Sequence, residues 1–121
     1  MIETSKSLTL ARHYLHKTVK VTIDRPLDSK HPKFNFTYLL NYGYIKDAHA
    51  PDGEELDAYV LGIKEPIDSF EGICVAIVHR RDDDDDKLVV VNEELKNITD
   101  EEILKQINFT ERWFDAVIVR K

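Results

Sequence analysis

Apolar and polar residues alternate from Lys17 to Asp24, where Val19, Val21 and Ile23 are interleaved with Lys20 and Thr22. That period of two predicts a half-buried strand, and Pro26 ends its ladder. The segment KFNFTYLL, Lys33 to Leu40, alternates aromatic and polar side chains and predicts a second strand. The NYGY that follows predicts a turn or bulge, with Gly43 supplying backbone freedom that a side chain would deny. Three short, β-branched runs, LDAYVLGI, GICVAIVHR and KLVVVN, predict three more strands. The period then changes. In TDEEILKQINFTERWF, Thr99 stands where an N-cap belongs, Glu102 completes a capping box, and Ile103, Leu104, Ile107 and Trp113 or Phe114 recur at helical spacing. DAVIVRK returns to strand character. Strands with no helices between them favour a mainly β (α+β) fold, a small antiparallel barrel of five strands with the C-terminal helix packed outside.

The 121 residues, 42% of them hydrophobic, suit one domain over residues 1–121 with one core. Charged residues make up 33% of the chain and the formal net charge is -6, which argues against a nucleic-acid binder needing a basic face. The single Cys74 has no disulfide partner and sits in an apolar run, as a small core residue would. No basic stretch leads into an apolar segment and no run approaches membrane-spanning length, so the expectation is a cytoplasmic protein with no membrane partner.

Negative charge is concentrated in two places. APDGEELDAY carries Asp52, Glu54, Glu55 and Asp57 within ten residues, and RRDDDDDKLVVV carries five consecutive aspartates between Arg81 and Lys87. Such a run ordinarily marks a solvated hairpin tip. If both segments face one cleft, hard divalent cations would relieve their repulsion. The interleaved Arg80, Arg81 and Lys87 suit a site that holds anions as well. His31, His49 and His79 read as surface or hydrogen-bonded side chains, and Tyr38, Tyr44 and Tyr59 as packed rings.

The order and spacing of these pieces resemble the soluble inorganic pyrophosphatases of the first family. NYGYIKDAHAPDGEELDAYVLG is similar to that family's NYGY turn, loop and DxDPxD strand. The resemblance implies an OB-like barrel, magnesium or manganese as cofactor, and pyrophosphate or phosphate as ligand. It places metal-binding carboxylates at Asp52 and Asp57, with Glu54 at the middle position, where it would orient or deprotonate the attacking water. Tyr42 falls on the tyrosine that contacts phosphate. VTIDRP and KFN occupy the places of the family's IEIP and KYE, which puts Asp24 at a metal-binding glutamate and Lys33 at a phosphate-binding lysine. DDDDDKLVVV is similar to the loop and KLVAV-like strand that follow, with Lys87 as a phosphate ligand, Asp85 as one metal ligand and Asp82 or Asp83 as the other.

The departures are equally specific. The hairpin that carries a phosphate-binding arginine is missing between Phe34 and NYGY, and Trp113 and Phe114 stand near the place of a phosphate-gripping Tyr and Lys. Arg25 or Lys30 could substitute for the hairpin arginine, Arg80, Arg81 and Arg112 are other cations that could replace the missing donors, and the choice stays open. Two functions compete: magnesium-dependent hydrolysis of pyrophosphate with Glu54 and Asp57 as catalytic residues, or metal-dependent binding of phosphate or a phosphorylated metabolite without that turnover. A homo-oligomer is compatible with either.

Overall fold

The structure, a computed structural model, describes residues 6–49, 55–81 and 85–121. Its elements are α1 (Lys6–Arg12), β1 (Thr18–Arg25), β2 (Asn41–His49), β3 (Glu55–Val60), β4 (Ser69–Arg80), β5 (Lys87–Val91), a short 3-10 turn (Glu93–Leu95), α2 (Asp100–Glu111) and β6 (Ala116–Val119). Strands β1, β2, β3, β5 and β4 pair in that order, and β1 pairs back onto β4 to close a five-stranded barrel. Strand β6 adds to β4 from outside that ring.

The barrel is mixed, which corrects the antiparallel expectation. Strand β5 inserts between β3 and β4. It is antiparallel to β4, its hairpin partner, and therefore runs parallel to β3, with Asp57 opposite Lys87 and Val60 opposite Val90. Strand β4 makes closure possible. Its first half pairs with β1, its second half pairs with β5 and β6, and the register shifts between Cys74 and Ala76. A bulge there bends one long strand around the barrel corner.

Alternation along β5 separates two cores. Leu88 and Val90 join Val19, Val21, Leu56, Ala58 and Ile77 in the interior, with Leu8, Ala11 and Leu15 of the N-terminal segment packed into it. Val89 and Val91 join Tyr59, Leu61, Val75 and Val78 under Ile103 and Ile107 of α2. The expected outside helix is thus present. Thr99 Oγ1 accepts a hydrogen bond from the Glu102 backbone N–H at 3.1 Å, the capping geometry its sequence predicts. The buried stripe of α2 is Ile103, Ile107 and Glu111, while Leu104 is exposed.

Two expectations fail near the middle of the chain. Lys33–Leu40 forms no strand; residues 26–40 make a loop with one bridge, between Lys30 and Thr37. Its turns are closed by Tyr38 N–H to Ser29 O, His31 N–H to Phe36 O, and the Lys33 and Phe34 N–H groups to His31 Nδ1. The alternating rings serve a cluster rather than a ladder, with Phe36 and Tyr38 centroids 5.3 Å apart. Conversely, NYGY is strand, the first residues of β2. Gly43 is required there by close approach: a Cβ would lie 1.9 Å from Thr22 O and 2.8 Å from Ile23 Cα. His49 is the last residue of β2. Asn41 is buried and clamps the surrounding loops, accepting from the Leu27 and Ile67 N–H groups and donating to Glu65 O. No helix among the described residues is long and apolar enough to cross a membrane.

Candidate active site

The parallel β3–β5 pairing sets the centre of the site. Asp57 and Lys87 are register partners, so their side chains leave the same face side by side. Lys87 Nζ lies 3.1 Å from Asp57 Oδ2 and 3.3 Å from Asp85 Oδ2. Burial opposes the charged form of Lys87, yet the two carboxylates outweigh it and hold the ammonium above the ordinary lysine range. The same Nζ sits 5.4 Å from the centroid of the Tyr42 ring. Burial, followed by the charge of Asp57 and a hydrogen bond to it, keeps the Tyr42 phenol protonated well beyond its usual range. Tyr42 is thus a hydrogen-bond donor at neutral pH.

A second group of side chains supports this centre. Arg80, at the end of β4, is buried and donates Nε to Glu111 Oε1 at 2.9 Å and Nη2 to Glu111 Oε2 at 2.8 Å. Its Nη1 reaches Asp85 Oδ2 at 3.1 Å. The Tyr59 hydroxyl donates to the same Glu111 carboxylate, and the Phe114 ring covers the Arg80 guanidinium with its centroid 3.7 Å from Cζ. Desolvation works against the Arg80 charge, but the Glu111 fork raises its pKa overall. Arg80 therefore acts as a fixed bracket between α2 and Asp85. Neighbouring Arg81 points elsewhere and pairs on the surface with Asp115. His79 Nδ1 is 2.9 Å from buried Asp86 Oδ1, a structural pair that also takes the Arg80 backbone N–H.

Tyr42, Tyr59, Arg80, Asp85 and Lys87 line one cavity of about 790 Å³, while Asp57 is not on its wall and meets it through Lys87. Among the site residues expected from sequence, Tyr42, Asp57, Asp85 and Lys87 come together. Asp24, on β1, lies within electrostatic range of Asp57; desolvation first, and then the charges of Asp57 and Glu55, raise its carboxyl pKa against the opposing pull of Arg25. Lys33 is exposed on the 26–40 loop and is not part of the cavity wall. Asp52, Glu54, Asp82 and Asp83 lie outside the described residues. Glu111 and Tyr59 are members of the site that local sequence pattern does not mark as such. Glu111 had a visible signal, an acidic residue on the apolar stripe of α2, but its partner is 31 residues away in sequence.

Asp57 and Asp85 are hard oxygen donors, the type that suits magnesium. Among the described residues no group of three His, Cys, Asp or Glu side chains comes together to hold a metal ion. The pair therefore fits a divalent cation in donor chemistry as part of a site.

The pattern of the inorganic pyrophosphatase family matches residues 1–118. This chain belongs to that family. Solved structures with the same fold include the inorganic pyrophosphatases of Ehrlichia chaffeensis (18% identity, TM-score 0.63, 82% of each chain covered) and Coxiella burnetii (19%, 0.61, 84% of this chain and 83% of that one). The Neisseria gonorrhoeae inorganic pyrophosphatase shares 22% identity at a TM-score of 0.59, over 76% of this chain and 70% of its own. Among curated protein sequences nothing matches. At these identities the structural likeness speaks for the fold, and the family assignment rests on the sequence pattern.

Proposed function

We propose that this pyrophosphatase-family chain hydrolyses inorganic pyrophosphate to two phosphates at the Tyr42, Asp57, Asp85 and Lys87 end of the cavity, with magnesium or manganese as cofactor. The observation that supports this most is Lys87. The residue is only 4% exposed, yet its ammonium is kept charged between two carboxylates that remain partly open to solvent. A buried ammonium is costly unless paired, and here the pairing leaves a cation aimed at a cavity wall where a phosphoryl group can reach it. Magnesium, when held by Asp57 and Asp85 with Asp24, Asp52 and Asp82, would supply charge that acidifies a water and screens phosphoryl oxygens.

The chain's own residues do the remaining work. Lys87 and the protonated Tyr42 position one phosphoryl group. Tyr42 also orients Asp57 through their hydrogen bond. Glu54 orients the attacking water or takes its proton. Arg80, held by Glu111, is a positioning residue for Asp85.

Phosphate release from pyrophosphate, measured with and without magnesium, tests the proposal. Release should depend on magnesium and fall by at least roughly 100-fold in Asp57→Asn, which keeps the shape while removing the charge. Lys87→Ala should weaken phosphate engagement while leaving stabilisation by magnesium largely intact. The second reading, binding without turnover, draws support from Trp113 and Phe114, which put rings rather than polar donors on the cavity wall. Protein that is stabilised by magnesium and phosphate but releases no phosphate from pyrophosphate would establish it.

A further inference from the structure

The cavity beside Lys87 is larger and more aromatic than pyrophosphate requires. Its volume of about 790 Å³ lies inside the ~300–1,000 Å³ range of pockets that enclose whole small-molecule ligands. Pyrophosphate has nine non-hydrogen atoms; at roughly one liquid-water volume each, ~30 Å³, they occupy on the order of a third of that space. Rings wall much of the remainder. From Tyr42 beside Lys87, a series of contacts runs outward: Tyr42 to Tyr38 at 5.6 Å, Tyr38 to His31 at 6.2 Å, and His31 to Phe34 at 4.9 Å. Phe34 is 64% exposed and Trp113 61% exposed, and with Phe114 they are three of the five exposed large hydrophobic side chains among the described residues. All three line this cavity.

Ring faces carry partial negative charge, so the exposed faces of Phe34 and Trp113 offer little to pyrophosphate itself. They suit a flat ring that stacks on them. Arg112, whose guanidinium lies 4.2 Å from the Trp113 centroid, adds positive charge at the same wall. We propose that the cavity takes a phosphoanhydride carrying a flat heteroaromatic ring, of the nucleoside diphosphate class, with the ring against Phe34 and Trp113 and the phosphates toward Lys87. This rests on the hydrolytic reading of the Lys87 end. In the reaction, the oxygen of water bonds to the terminal phosphorus as the bridging P–O bond breaks. That bond's electron pair leaves on the nucleoside monophosphate, the proton of water passes to solvent, and inorganic phosphate is released.

Trp113 is the chain's single tryptophan, so its emission reports ring binding directly. ADP is titrated into the full chain with magnesium, against methyl diphosphate as a ringless ligand with the same anionic end. ADP should quench the emission, bind about tenfold more tightly than methyl diphosphate, and be cleaved to AMP and phosphate. Phe34→Ala, at a position 64% exposed, should lose about that tenfold for ADP and leave kcat and KM for pyrophosphate within twofold. Equal affinity for the two ligands, or equal weakening of both in Phe34→Ala, overturns the proposal. ADP bound tightly but recovered intact overturns the substrate assignment. A stable dimer on gel filtration whose Trp113 emission is blue-shifted and insensitive to ADP assigns the rings to a second copy of the chain and also overturns it. If ADP is cleaved in a ring-dependent way while pyrophosphate is not hydrolysed, the pyrophosphate reading fails and this one stands.

Discussion

Replacing Glu111 with glutamine tests how the site is held to the helix beside it. Glu111 and Arg80 are 4% and 7% exposed, and the carboxylate takes two charge-assisted bonds from Arg80 and one from Tyr59. Removing one charge of a buried pair costs about 3–5 kcal/mol, because the other charge is left without compensation. Glutamine keeps the shape and one carbonyl acceptor, and Asp85 still contacts Arg80, so the low end of that range, about 3 kcal/mol, is the expected loss. For a chain of this size, a loss of about 3 kcal/mol lowers Tm by roughly 12 °C. With a urea m-value of about 2 kcal/mol/M, the midpoint falls by ~1.5 M. The internal comparison is Asp115→Asn, which breaks the adjacent Arg81 pair. Those side chains are more than half exposed, so the change should stay within about 0.5 kcal/mol. Urea denaturation of both variants, followed by circular dichroism, provides the measurement. A Glu111→Gln midpoint within 0.5 M of wild type, or an equal effect of the two variants, would refute the view that the buried fork anchors Arg80.

Cys74 is wholly buried and its thiol is pushed up to about 12 by desolvation; iodoacetamide at pH 8 should leave native protein unmodified by mass spectrometry and alkylate it fully in denaturant, and rapid native labelling would contradict the packing. Asp24→Asn should raise Tm at pH 7 without divalent metal: its carboxyl pKa is raised on folding, so its ionisation opposes folding as pH rises, and the variant's advantage should vanish once the pH falls below the unfolded value near 3.8. A gain in Tm that persists at pH 3 would be inconsistent with that linkage.

The strands β1, β3, β4, β5 and β6 and the cap of α2 are legible in the sequence, because each is written in local terms. Alternating valines and isoleucines report a strand's inward face, and Thr99 with Glu102 reports a helix start. The two acidic segments and NYGY also carry the family resemblance, and four of the residues it points to, Tyr42, Asp57, Asp85 and Lys87, meet in space. The 26–40 loop misleads for the same local reason: alternation of rings looks like a strand whether the rings face a sheet or one another.

Strand direction and long-range partnership belong to the tertiary structure. Alternation has the same period in parallel and antiparallel strands, so nothing local distinguishes β5 running with β3 from β5 running against it; the insertion of β5 between β3 and β4 decides it. That same parallel register sets Lys87 beside Asp57. Local pattern shows Arg80 as one of two adjacent arginines and Glu111 as an unexpected charge on an apolar stripe. Only packing of α2 over the barrel brings them into one buried pair, because a charge is tolerated there when its counter-charge arrives from another element.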